Sequence, residues 1–135
     1  MKEELKNKIL ENAISLDTSY FYNFGYKKLD ALKMIEVFRD YDIVIVGGSV
    51  HYKNGDIYKP LGEDNWSITK EMSKLKDENN SLLVNKSIEL AKEKIEKYNE
   101  SNKVIVYSFV TNIPKDIWNS EFYEMFPTIK SLNNF

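Results

Sequence analysis

Cysteine is absent from this 135-residue chain, which excludes disulfides, thiolate chemistry and zinc–sulfur centres together. Histidine occurs once, as His51, so no two-histidine metal site can form. Arginine also occurs once, as Arg39. It is the preferred fork for bidentate phosphate and guanine contacts, and its scarcity argues against a nucleic-acid partner. Net charge points the same way: 19 basic against 21 acidic residues leave −2 and no broad basic footprint. No apolar run approaches the roughly 20 residues of a membrane-spanning helix. The charged start, Met1 to Lys6, has no apolar signal core behind it. We therefore expect a cytoplasmic protein with no membrane partner.

What remains is the make-up of an ordinary globular chain, 42% hydrophobic and 30% charged, long enough for one domain over residues 1–135 to bury a sizeable core. Leu5, Ile9, Leu10, Ala13 and Ile14 fall at helical spacing and predict a first helix of about 12 to 14 residues. A polar-aromatic connector follows at residues 17–26, and a second helix is predicted from about Lys27 to Tyr41. "YDIVIVGG" reads as a strand ended by glycine. Asn54-Gly55-Asp56 predicts the turn of a β-hairpin, and after a second break at Pro60-Leu61-Gly62 the segment Glu63 to Ile68 reads as a further short strand. Residues 69–80 read as a loop or a short irregular helix. Val84, Ile88, Ala91, Ile95 and Tyr98 predict a core-facing helix from about Leu82 to Glu100, and "KVIVYSFV" is the second clear strand. The tail from Pro114 reads as a last amphipathic helix or a lid. The order predicts an α+β single domain, a small, mostly antiparallel β-sheet packed with about three helices. A three-layer α/β fold lacks the strict strand–helix alternation it needs.

The glycine pair Gly47-Gly48 raises the first chemical question. A phosphate loop needs a strand, a glycine-rich turn and then a helix, whereas "SVHYKNG" continues as strand. A bulge or sharp bend is the favoured reading, with Gly47, Gly48, Asn54 and Gly55 as structural turn residues. Ser49 and His51 lie two apart, hence on one face of a strand, and could form a nucleophile–base pair. Such a pair also needs an oxyanion hole and a group orienting the imidazole, and neither is visible. Asp56, Glu63 and Asp64 match no calcium loop, and no cofactor or metal is expected. The aromatic excess of nine Tyr, seven Phe and two Trp is more informative. Tyr and Trp are favoured at protein interfaces, and Tyr52, Tyr58 and Trp66 flank the turn region, some to bind and some to fill the core.

The order of motifs carries a resemblance. "ALKMIEVF" leads to "IVIVGGSVHY", an Asn-Gly turn, "EDNW", "NKSIELAKEKIEKY" and "VIVYSFV". Over about Lys27 to Val110 this resembles the bacterial immunity protein 40 family of polymorphic-toxin and contact-dependent systems. Asp64, Asn65 and Trp66 match that family's second block as they stand. Ser49 stands where the family pattern has an aspartate and His51 where it has an aromatic, so Ser49 cannot supply a negative charge there. The resemblance implies a non-enzymatic protein that occludes a cognate toxin one to one, protecting the producer and its kin. The expected toxin-binding residues are Tyr52, Tyr58, Asp64, Asn65 and Trp66, with Trp66 and Tyr58 as anchors and Asp64 as the charged contact. The alternatives are a small hydrolase or transferase using Ser49 and His51, and a ligand-binding regulatory domain using the aromatics at 20–26.

Overall fold

The structure is a computed structural model, and it describes residues 2–16, 24–61, 64–68, 70–71, 80–101 and 103–112. The N-terminal helix α1 (Lys2–Leu10) carries Glu3 and Glu4 in its first turn and Lys8 in its last, matching its dipole. It buries Leu5 and Ile9. It stops four residues short of Ile14, because β1 (Ile14–Ser15) pairs with β2 (Phe24–Gly25) in a small antiparallel sheet. The predicted longer helix is thus cut back by tertiary pairing, and this two-stranded sheet was not foreseen.

Helix α2 (Lys28–Asp40) buries Ala31, Met34, Ile35 and Phe38. It ends where Asp42 adopts φ 56°, the Ile43 N–H donating to Phe38 O at 2.8 Å and the Asp42 N–H to Arg39 O at 3.1 Å. That pair of bonds is a Schellman motif, with aspartate in the left-handed position glycine usually takes. The chain then enters β3 (Val44–Asn54), which is a single strand of 11 residues. The expected end of the strand at Gly47-Gly48 is therefore corrected: the pair sits mid-strand, beside a bulge between Ile45 and Gly47.

β3 is the centre of the main sheet. β4 (Ile57–Pro60) folds back on it through Gly55-Asp56, β5 (Trp66–Ser67) pairs further along the same edge, and β6 (Ile105–Asn112) lies antiparallel along the other edge. Gly55 is the first of the two hairpin residues and has φ 67°, a conformation β-carbon sterics disfavour. On the far side of β6, Tyr26 and Tyr107 exchange two main-chain hydrogen bonds of 2.8 Å, which tie the β1–β2 sheet to the main one.

Helix α3 (Asn80–Lys97) and α2 cover one face of the sheet, and Ser87 Oγ accepts the Ile45 N–H at 3.1 Å. Val84, Ile88, Ala91 and Ile95 meet Ile35, Phe38, Val50 and Tyr107 in one apolar core. Each large aliphatic side chain so buried contributes about 1.5–3 kcal/mol. The α+β single sheet-and-helix architecture is the one the sequence predicts.

Candidate functional site

The expected binding residues gather along the β4–β5 edge of the sheet, on the side of β3 away from β6. The Leu61 N–H donates to Val50 O at 2.8 Å, and Trp66 pairs with Gly48, so the edge chain passes through four residues where β3 passes through one. Asp64 and Asn65 lie on that excursion, both exposed, with the Asp64 N–H donating back to Leu61 O at 2.9 Å. The return is possible because of the glycine pair. A Cβ on Gly48 would stand 2.6 Å from Cζ2 of the Trp66 ring and 2.6 Å from Ser108 O, and one on Gly47 would stand 2.6 Å from Trp66 O. The glycines are there to let backbone and indole approach.

The excursion is fastened to α3. Tyr98, one residue past the helix, donates its hydroxyl to Asp64 Oδ2 at 2.6 Å. Its ring meets the Tyr107 ring edge-on, with centroids 5.9 Å apart, and the Tyr107 hydroxyl donates to Glu100 Oε2 at 2.7 Å. Burial, then the bond to the Asp64 carboxylate, pushes the Tyr98 phenol up to about 12, so it stays protonated as a donor. The Tyr107 phenol is also pushed up, by burial first and the Glu100 carboxylate second. Tyr98 was expected only as a core residue. It is the one member of its helical stripe with a polar tip, which was the available signal.

The five expected binding residues do not share one face. Trp66 pairs with Gly48 and Tyr52 with Lys59, placing Trp66 and Tyr52 on the helix-covered face with Val50. Tyr58 pairs with Lys53 and so lies on the opposite face. Trp66 and Tyr52 are half-buried against the core, and Lys103 Nζ lies 5.0 Å over the Tyr52 ring.

Ser49 and His51 are on the face opposite the helices, and both are 0% exposed. Ser49 Oγ is 3.4 Å from His51 Nδ1 and also hydrogen-bonds Ser108 Oγ directly across the strand pair. Ser108, a serine in an apolar strand, was not picked out from the sequence. Burial pulls the His51 imidazole down to about 4, keeping it neutral. The two side chains that could pair do lie together, but a substrate has no exposed path to the serine oxygen, and the trio reads as a buried polar seam.

Of the proposed acidic cluster, Glu63 lies outside the described residues, and no group of three or more potential metal ligands occurs among the described residues. Within the 20–26 connector, residues 20–23 lie outside the described set, as does the tail from Pro114. Tyr26 is buried in the core, its hydroxyl donating to Ile9 O at 2.5 Å. A cleft of about 150 Å³ between α1 and α2, lined by Lys8, Glu11, Tyr26, Asp30 and Met34, is smaller than the roughly 300 Å³ at which ligand pockets begin. Among the described residues, no helix is long and apolar enough to cross a membrane.

No curated protein and no solved structure gives a match. A family model does: the one described as Immunity protein 40 matches residues 15–111, from β1 to the penultimate residue of β6. It takes in all but the last residue of the main sheet, α2, α3, the glycine pair and the Asp64–Trp66 excursion, and the chain belongs to the Immunity protein 40 family.

Proposed function

We propose that the protein is an immunity protein that binds a cognate bacterial toxin domain and neutralises it by stoichiometric occlusion, without turnover and without a cofactor. The observation that carries this reading is family membership over residues 15–111. The site geometry supports it. Exposed Asp64 and Asn65 project on a chain excursion whose two ends are fixed to β3, and Tyr52, Tyr58 and Trp66 offer large, rigid contact area around it. The buried Ser49–His51 pair offers a competing hydrolase nothing to bind.

The test is a rescue assay combined with a pull-down. The toxin-like gene found beside this one is expressed with and without the protein, and the pair is purified together. Rescue with a one-to-one complex is the expected outcome. Rescue that persists at a toxin excess far beyond one to one would point to turnover and sink the occlusion mechanism. Loss of rescue in His51→Gln, with binding and folding intact, would favour the enzyme reading.

A further inference from the structure

The geometry points to Tyr98 as a positioning residue for the toxin contact: its hydroxyl holds Asp64, and with it Asn65 and Trp66, in the conformation the partner meets. This rests on the reading that the Asp64–Trp66 segment belongs to the toxin-binding surface.

Leu61 lies opposite Val50 and Trp66 opposite Gly48, and of the described residues between them Asp64 and Asn65 stand outside the ladder. The Asp64 N–H bond to Leu61 O ties the Asp64 main chain to the near end of the excursion, which the Leu61 N–H fixes to Val50 O, and leaves the Asp64 side chain to be held from elsewhere. The bond from Tyr98 to Asp64 Oδ2 instead crosses to a different element, 34 residues away in the chain, at 2.6 Å. A phenol donating to a carboxylate at that distance is a short, charge-assisted hydrogen bond, made here at an exposed site. Tyr98 is itself well fixed. Its ring packs edge-on against buried Tyr107, its N–H donates to Ile95 O at 3.3 Å, and its carbonyl accepts Lys28 Nζ from α2 at 3.1 Å. The excursion is therefore referenced to the helix layer as well as to the sheet. A partner meeting a segment already held in place loses less freedom on binding.

Tyr98→Phe keeps the ring contact and removes only the hydroxyl, and Asp64→Ala removes the acceptor. In the free protein, we expect the Asp64 amide of Tyr98→Phe to exchange about tenfold faster, while core amides such as Ile45 keep their rates. Against the toxin domain encoded by the adjacent gene, dissociation should quicken by roughly tenfold with little change in association. The double variant should be no worse than Asp64→Ala alone, because both changes break one bond. Unchanged Asp64 exchange in Tyr98→Phe overturns the proposal, whatever happens to binding. Faster exchange with unchanged toxin dissociation overturns it too. A folded wild-type protein that binds no toxin sinks the underlying functional reading, and the positioning role with it. The exchange rates measured in the free protein keep that failure distinct from a failure of the Tyr98–Asp64 tether.

Discussion

Consider alanine in place of Gly48. Gly48 has no positive φ, so its backbone conformation suits alanine, and reduced freedom in the unfolded chain would by itself add about 0.4–1 kcal/mol of stability. Packing opposes this. The new methyl carbon would stand 2.6 Å from Trp66 Cζ2 and 2.6 Å from Ser108 O, against an optimum near 3.5 Å for non-bonded carbon. Neither neighbour yields cheaply: the indole is wedged at the edge of the core, and the carbonyl belongs to β6. Overpacking costs about 1–3 kcal/mol, and two contacts at 2.6 Å, one of them to a main-chain oxygen, put this site in the upper half of that range, which leaves a net loss of about 1–2 kcal/mol. For a domain of this length that lowers the melting midpoint by roughly 3–8 °C. Thermal and urea unfolding of Gly48→Ala measure it, and the same substitution in a Trp66→Leu background tests the cause. With the indole gone, the penalty should shrink by about 1 kcal/mol. A Gly48→Ala protein as stable as the wild type would refute the argument that close approach dictates this glycine.

Other consequences follow from the same core and turns. Burial lowers His51 from 6.5 to about 4, so between those values the unfolded chain binds the extra proton. The stability gained by keeping the imidazole neutral is complete above pH 6.5 and lost as pH falls towards 4. Urea midpoints of the wild type should fall more steeply over that window than those of His51→Gln, and parallel curves would contradict it. Ser49→Ala or Ser108→Ala alone should cost about 1–3 kcal/mol by stranding a buried hydroxyl. The double variant should cost less than the two single losses together, and strict additivity in denaturant unfolding would exclude the coupling. Gly55→Ala meets no atom within 4 Å but must hold φ 67°. It should lose about 1 kcal/mol, partly restored by Asn, and equal stability of the Ala and Asn variants would count against a conformational cause.

Legibility in the sequence tracked the range of the forces involved. Helices α2 and α3 and strand β6 were readable because Ala31, Met34, Ile35 and Phe38, or Val84, Ile88, Ala91 and Ile95, advertise burial by local periodicity. The hairpin was readable because Asn54-Gly55 is a local signal, although Asn54 closes the strand and Gly55 opens the turn. Three features were hidden because a distant partner decides them. Ile14 leaves its helical pattern to pair with Gly25, Gly47-Gly48 stay in a strand because Trp66 needs the space, and Ser49 finds Ser108 59 residues on. The candidate site was legible as residue types but not as a surface. Only strand register shows that Tyr58 faces away from Tyr52 and Trp66.

That register constrains how a toxin can be met on the proposed reading. Tyr58 and Trp66 lie on opposite faces of a sheet one residue thick, so a partner seated flat on either face reaches only one of them. A partner approaching the β4–β5 edge reaches both, with exposed Asp64 and Asn65 between. The edge does not invite a further strand. The Leu61 N–H points inward to Val50 O, so the neighbouring Pro60 falls where an outward N–H would be, and proline has none. Recognition then runs through side chains and the excursion rather than through added ladder bonds. Tyr58→Ala and Asn65→Ala should each weaken toxin binding by about 1 kcal/mol or more in calorimetric titration while leaving the melting midpoint nearly unchanged. Loss confined to Asn65→Ala would exclude the edge-on approach.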